Sequence, residues 1–357
     1  MDENQLRNRF RGVILGTAVG DALGLPAEGI SPRRAGKLFG GRWQHRFVGG
    51  RGMVSDDTDH TVFVAQSLLK NPESPELFAK ALACCFRWWL LSIPAGIGLA
   101  TLKSIIRLWL GFRPLKSGVY SAGNGPAMRS APIGAFFASS PNRMDDYLEA
   151  CTKITHTDPR ALVGAKAVAY IVAWSIREKL TKRPGMEAFL QILQMAGEGD
   201  EEWSHIQHQI SMADQQNLSV VAFARELGLV KGVTGYIYHT VPVVLYAWYR
   251  HFGAFEETLN GVLDCGGDTD TTGAIAGALA GAVVGEQGIP RQWLDGIFEW
   301  PRSVKILKTI GDRLCECSQQ NHAFSPVPYF RPGVLPRNLF FLLVVLLHGF
   351  RRLAPPY

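Results

Sequence analysis

Apolar positions recur along most of this chain at helical rather than strand spacing. Leu6, Phe10, Val13 and Ile14 fall on one side of such a repeat, which predicts a first helix from about Gln5 to Ala22. Val62, Ala65, Gln66 and Leu69 repeat it from Asp59 onward, so Ser55 to Thr58 stand at the start of another helix. Residues 77–111 are mostly helical in pattern, with Trp88 and Trp89 expected in the core, and Ala161 to Trp174 predicts a further apolar helix. Residues 181–220 are polar, carry a Gly-Glu-Gly-Asp turn and are expected to lie away from the chemistry. Leu339 to Phe350 is apolar apart from His348. A dozen residues fall short of the ~20 that a bilayer span needs, so no transmembrane span is expected and the tail suggests at most an interface or a membrane-surface contact.

Glycine adds a second pattern. Gly16, Gly20 and Gly24 stand four apart, as do Gly273, Gly277 and Gly281. Two helices with a stripe of missing side chains approach other backbones closely, which is how a central helix pair is built in a compact α protein. No Pro- or Ser-rich linker divides the 357 residues, so one domain over residues 1–335 is expected, with 336–357 an apolar tail of unassigned role. The 47% hydrophobic content argues for a large core and against disorder. The net charge of +6 suits an anionic ligand such as a pyrophosphate and is weak support for nucleic acid, so no sequence-specific nucleic-acid partner is expected. Cys84, Cys85, Cys151, Cys265, Cys315 and Cys317 follow neither a zinc spacing nor a disulfide framework. Reduced thiols in a cytoplasmic protein are expected.

The chemistry concentrates in two acidic clusters. Cys265-Gly266-Gly267-Asp268-Thr269-Asp270-Thr271-Thr272 places two carboxylates at a spacing of two with a hydroxyl beside them, after glycines that allow a sharp turn. Ser55-Asp56-Asp57-Thr58-Asp59 is the other, some two hundred residues earlier. Either alone reads as an ordinary helix N-cap. Converging, Asp56, Asp57, Asp268 and Asp270 would bring four negative charges together, which calls for protons or for cations. Two divalent ions balance them, and an all-oxygen donor set without a histidine or cysteine group favours Mg²⁺ over Zn²⁺, with Mn²⁺ as a substitute.

Both clusters and their flanks resemble the signature of the ADP-ribosylglycohydrolase family. Ser55-Asp56-Asp57-Thr58 matches its first metal motif and Gly266 to Thr271 its second. The likeness extends to Gly12 to Gly16, Gly20-Asp21-Ala22-Leu23-Gly24, Gly123-Asn124-Gly125 with Met128-Arg129, His156-Thr157-Asp158-Pro159, and Gly235-Tyr236 with His239-Thr240. The resemblance implies an all-α, single-domain bundle with a central di-metal site held by Ser55, Asp56, Asp57, Asp268, Asp270 and Thr271. It places Glu28 on a flap over the metals, for gating or proton transfer, and Gly123, Asn124, Gly125 and His156 beside ADP-ribose. Arg129 and His239 are expected to be structural. Several members carry an Asp where Ile93-Pro94-Ala95-Gly96-Ile97-Gly98 has Gly96, which leaves the linkage cleaved open.

The implied function is a magnesium-dependent hydrolase that removes ADP-ribose from an ADP-ribosylated protein or a small ADP-ribosyl substrate, with Asp57 or Asp270 as the base for water. A hydrolase of free derivatives such as O-acetyl-ADP-ribose is an alternative. A non-catalytic binder that neutralises an ADP-ribosylating toxin is another.

Overall fold

A computed structural model describes residues 2–39, 43–320 and 322–354, and among them the chain forms helices and isolated β-bridges but no sheet. The helices that build the site and its surroundings are α1 (Glu3–Gly24), α2 (Asp56–Lys70), α3 (Pro75–Leu91), α4 (Leu99–Trp109), α5 (Pro159–Arg177), α6 (Ile237–Arg250), α7 (Thr269–Val284), α8 (Val304–Gln320) and α9 (Val334–Arg351). The all-α expectation holds. Gly40, Gly41 and Arg42, part of the glycine- and arginine-containing approach to the first acidic cluster, lie outside the described residues.

The two glycine stripes meet. A methyl group on Gly16 would stand 2.1 Å from the Gly277 carbonyl oxygen, and one on Gly20 1.8 Å from that of Gly273. Gly12 extends the stripe by one turn, facing the Gly281 carbonyl oxygen. α1 and α7 therefore touch backbone to backbone at the centre of the molecule, and α7 is buried on every side from Thr269 to Val283. Its pattern carries no polar face because it has none to show. α1 begins at Glu3, where the Asp2 side chain accepts from the Gln5 amide, and runs two residues past Ala22. α8 closes over α1 through the Arg11–Asp312 ion pair.

Residues 77–111, read as mostly helical, form α3 and α4 with a break between them. Pro94 intervenes, and Ile93 and Gly96 both take positive φ, 54° and 80°. Trp88 is a correction: it is 66% exposed, whereas Trp89 is buried and donates its indole N–H to Asp59. Neighbours on a helix point about 100° apart, and the phase of α3 turns Trp89 inward and Trp88 outward. Residues 181–220 contain two helices, Met186–Ala196 and Glu201–Gln215, with Asp200 of the intervening turn capping the second. All six cysteines are unpaired.

The tail is longer than its apolar run suggests. α9 spans 18 residues, and with the preceding turn the stretch Arg331–Arg351 is long and apolar enough by length and composition to cross a membrane. The 335/336 boundary falls inside it. Its first turn is locked into the body, since Arg337 is buried, pairs with Glu299 and donates to the Val54 carbonyl oxygen. Asn338 donates to the Ser92 carbonyl and hydroxyl oxygens.

Candidate active site

Ser55 is the N-cap of α2, its hydroxyl accepting from the Asp57 amide. Asp56 and Asp57 thus occupy the first turn, where a helix N-terminus favours negative charge. α7 begins at Thr269, so Asp270 sits in its first turn as well. The crossing of α1 and α7 and the packing of α2 on α1 bring these two helix starts together. The decisive contact is Asp57 Oδ2, which receives the Ser55 hydroxyl and the Thr271 hydroxyl, each at 3.2 Å. Two motifs separated by some two hundred residues therefore share one carboxylate.

Gly266 and Gly267 make that convergence possible. Both have positive φ, 63° and 83°, and a side chain on Gly267 would stand 2.0 Å from the Val233 carbonyl oxygen. Gly267 exchanges backbone hydrogen bonds with the loop after α1: its amide donates to Ile30, and the Gly29 amide donates to its carbonyl. This staple sets Glu28 at the rim beside Asp268. Asp268 is held in turn by Asn124, whose amide nitrogen donates to Oδ2 at 2.6 Å and to the Thr240 hydroxyl.

The electrostatics follow from the crowding. Burial, then the charges of Asp56, Asp21 and Asp268, push the Asp57 carboxyl well above the usual carboxylate range. Burial, then Glu28, Asp268 and Asp57, do the same to Asp270. Asp56 rises by desolvation and the charges of Asp21 and Glu28, and Glu28 by desolvation and Asp268, against the opposing charge of Arg352. Asp57 Oδ1 and Asp270 Oδ1 are buried with no hydrogen-bond partner. Orphaned carboxylate oxygens facing like charges are what a divalent cation relieves, and the available donors are all oxygens. Among the described residues, no three His, Cys, Asp or Glu side chains stand preassembled as a metal cage; the oxygens that converge belong to carboxylates and hydroxyls together. The residues present fit a hard cation.

Asp21 is the residue that sequence reasoning passed over except as part of a motif. It lies fully buried in the last turn of α1 and accepts from the Ser55 amide, the Thr58 amide and the Thr58 hydroxyl. It thereby fixes the start of α2 on α1. A lone carboxylate inside a buried helix face needs such partners, and that was the available signal. Burial, opposed by those hydrogen bonds, pushes it up to about 7. Asp59, by contrast, faces away from the cluster and is held by Arg302 at 2.6 Å and by Trp89.

Across the cleft, Gly123 bridges to Tyr236, and the Asn124 amide donates to the Gly235 carbonyl. The Gly123 amide donates to the Ser121 hydroxyl. These two amides are thus engaged within the protein, and Asn124 has φ −77°, not a left-handed turn conformation. What the glycines provide is room. A side chain on Gly123 would lie 3.0 Å from His156 Nε2, and one on Gly125 3.1 Å from the same ring. His156 Nδ1 meets the Thr155 hydroxyl at 2.8 Å, and that hydroxyl accepts from Arg129. With a guanidinium donating to it, the hydroxyl is disposed to donate its O–H in a hydrogen bond to Nδ1, which leaves Nε2 as an N–H donor against the turn. Burial and the Arg129 charge push His156 down to about 3, so it is neutral at working pH. His239 bonds Thr234, and Arg129 is wholly buried against Cys151 and Thr155.

Comparison with known proteins gives this geometry a context. The family model for ADP-ribosylglycohydrolase matches residues 2–323. The chain belongs to the ADP-ribosylglycohydrolase family. It is 32% identical over 310 residues to an uncharacterized protein of Archaeoglobus fulgidus, covering 82% of this chain and 92% of the relative. It is 27% identical to the ADP-ribosyl-[dinitrogen reductase] glycohydrolase of Rhodospirillum rubrum, covering 81% and 90%. To ADP-ribosylhydrolase ARH3 of Gallus gallus it is 24% identical, covering 86% and 94%. A solved structure titled ADP-ribosylglycohydrolase-related protein complex matches with a TM-score of 0.61 and 25% identity, over 88% of this chain and 99% of that one. Membership makes this ADP-ribosylglycohydrolase a hydrolase of ADP-ribose linkages.

The metal-free protein has a signed pH dependence. Asp21, Asp57 and Asp270 all have folded-state values above the ordinary 3.8. A raised carboxylate stabilises the fold while protonated, so its contribution is whole below about pH 4 and is lost as pH climbs through the raised value, near 7 for Asp21. In EDTA, the thermal midpoint is expected to fall between pH 5 and pH 8. Calorimetry across that range checks it; a midpoint that rises with pH in EDTA contradicts the crowding.

Proposed function

We propose that this ADP-ribosylglycohydrolase is a Mg²⁺-dependent enzyme that releases ADP-ribose from a modified protein side chain. The observation that carries the reading is the convergence of both acidic motifs on Asp57 Oδ2, with Asp57 Oδ1 and Asp270 Oδ1 left unpartnered beside it. Ser55, Asp56, Asp57, Asp268, Asp270 and Thr271 would hold two ions, with Mn²⁺ a substitute. Bound there, the ions supply charge neutralisation and Lewis acidity at the ribose.

The chain's own groups supply the rest. Asn124 holds Asp268 in register with Asp270. His156 donates its Nε2 proton to a ribose or phosphate oxygen lying along the Gly123–Gly125 turn and, being neutral, takes no part in acid–base exchange. Asp57 or Asp270 accepts the proton of the attacking water as the bond at the anomeric carbon breaks. Glu28, at the rim, gates entry or returns a proton to the departing acceptor.

Gly96 stands exposed with φ 80° and has no side chain, so this loop position offers no carboxylate of its own. That keeps ester-linked small substrates such as O-acetyl-ADP-ribose in view beside protein linkages. The unpaired thiols suit a reducing, cytoplasmic setting. The test is release of ADP-ribose from arginine-, serine-, phosphate- and acetyl-linked substrates, in Mg²⁺ and in EDTA. Mg²⁺-dependent release from one linkage is expected. Release that is unchanged in EDTA overturns the metal reading, and tight ADP-ribose binding without release from any substrate overturns the hydrolytic one.

A further inference from the structure

Two stretches of this chain carry no acidic residue at all: residues 77–144, and everything after Glu316. The first includes Lys80, Arg87, Lys103, Arg107, Arg113 and Lys116; the second includes Arg331, Arg351 and Arg352. Both also hold most of the exposed large apolar side chains among the described residues. Leu335, Leu339, Leu343, Leu346, Leu347 and Phe350 are exposed, and their spacing places them along one side of α9. Trp88, Leu91, Ile93, Leu99, Trp109 and Leu110 are exposed along α3, α4 and the turn between them.

The two surfaces adjoin. Asn338 of α9 bonds Ser92 in that turn, and Ala95 packs against the cluster formed by Leu25, Phe47, Met53 and Phe341 beneath α9. α9 lies beyond the stretch that matches the family model, which ends at residue 323. Its inner side is committed to the body by the buried Arg337–Glu299 pair. The helix therefore lies along the protein rather than leaving it, and its apolar stripe faces out.

We propose that this face seats on an anionic lipid surface, with the α9 stripe and the exposed tryptophans entering the interfacial layer and the basic residues meeting the headgroups. An apolar helix face whose own stretch, like the stretch it adjoins, carries basic residues and no acidic one complements a negatively charged membrane surface. A second copy of the chain is a poorer occupant, because a two-fold contact would set this cationic surface against itself. Aromatic side chains with a polar edge, such as Trp88 and Trp109, suit the water–lipid boundary. The face also reaches the active site: His348 contacts the Pro26 carbonyl oxygen, and Arg352 donates to the Glu28 carbonyl oxygen. Seating α9 would thus bear on the loop that carries Glu28.

The experiment is co-sedimentation of the full chain with phosphatidylcholine vesicles, with and without phosphatidylglycerol. Binding at least tenfold stronger to the phosphatidylglycerol vesicles is expected, weakened by salt. Leu343→Glu with Leu347→Glu is expected to reduce it at least tenfold while the thermal midpoint stays near that of the unaltered protein. Brominated phosphatidylglycerol provides a measurement on the unaltered chain: quenching of its tryptophan fluorescence is expected, and smaller quenching in Trp88→Phe and Trp109→Phe. A chain that stays in the supernatant with both vesicle types overturns the proposal. So does a concentration-dependent dimer in sedimentation velocity that the glutamate variant abolishes. Neither readout depends on hydrolysis, so failure here leaves the proposed function standing.

Discussion

Asp57→Asn and Asp270→Asn are each expected to lower ADP-ribose release by about 10²–10⁴-fold, the range for loss of a positioned acid–base group, while raising the thermal midpoint of the metal-free protein. The two effects have one cause. Each carboxylate is buried among like charges, and each has an oxygen without a partner. Without cations, removing a charge from that group relieves repulsion and desolvation together, so the neutral amide costs the fold less than the carboxylate does. On the proposed two-cation reading, the same change removes a ligand. The midpoint gain should therefore appear in EDTA and vanish or reverse in Mg²⁺. Asp59→Asn is the internal control, since Asp59 belongs to the same motif by sequence but pairs with Arg302 and Trp89. Breaking a buried pair of that kind costs about 3–5 kcal/mol, so this variant should lose stability in both conditions. A folded Asp57→Asn that retains more than a tenth of wild-type release would remove Asp57 from the chemistry.

The helical class, the first helix to within two residues at either end, and the close pair of glycine helices were legible because each rests on a local period: apolar residues at one spacing, glycines at four. The start of α2 was legible because Ser55 and its acidic neighbours form an ordinary cap. What lay beyond the sequence was orientation. Trp88 and Trp89 have the same composition signal, and only the phase of α3 decides which is buried. Asp59 cannot be told from Asp56 and Asp57 by residue type; its partner Arg302 arrives from a segment 243 residues away. Asp21 and Thr155 act through other residues, Asp21 by holding Ser55 and Thr58, Thr155 by joining Arg129 to His156. Such roles depend on hydrogen bonds between distant segments, to which a short motif is blind. The Gly123–Gly125 turn illustrates the same limit, because whether an amide faces a ligand or its own fold depends on whether Tyr236 and Gly235 sit across from it.

Gly20→Ala is expected to be the most damaging small substitution in this protein. The added methyl group would lie 1.8 Å from the Gly273 carbonyl oxygen and 2.3 Å from its carbon. Both atoms belong to the backbone of α7, so no side chain can turn aside, and α1 and α7 must separate along their length. Their separation would open contacts made by the most deeply buried residues of the molecule, including Val13, Ile14 and Leu279. Overpacking usually costs about 1–3 kcal/mol, and a clash between two backbones belongs at or above the top of that range. A urea transition shifted by about 3 kcal/mol or more, or no folded protein at all, is the expected result. Gly36→Ala supplies the comparison: it lies exposed in the helix Pro32–Phe39 with no atom near the added methyl, and alanine there should be neutral or stabilising by up to about 1 kcal/mol. Gly24→Ala then separates packing from chemistry. Its methyl would press on the Thr269 carbonyl and the Asp270 amide, at 2.1 and 2.7 Å, at the point where α7 delivers Asp270 to the site. Any fraction of this variant that folds should lose more activity than stability, because a shift of the α7 start by a fraction of an ångström moves Asp270 against Asp57 while leaving most of the core in place. Equal loss of both would mean that the glycine crossing only holds the fold together and does not set the distance between the two acidic motifs.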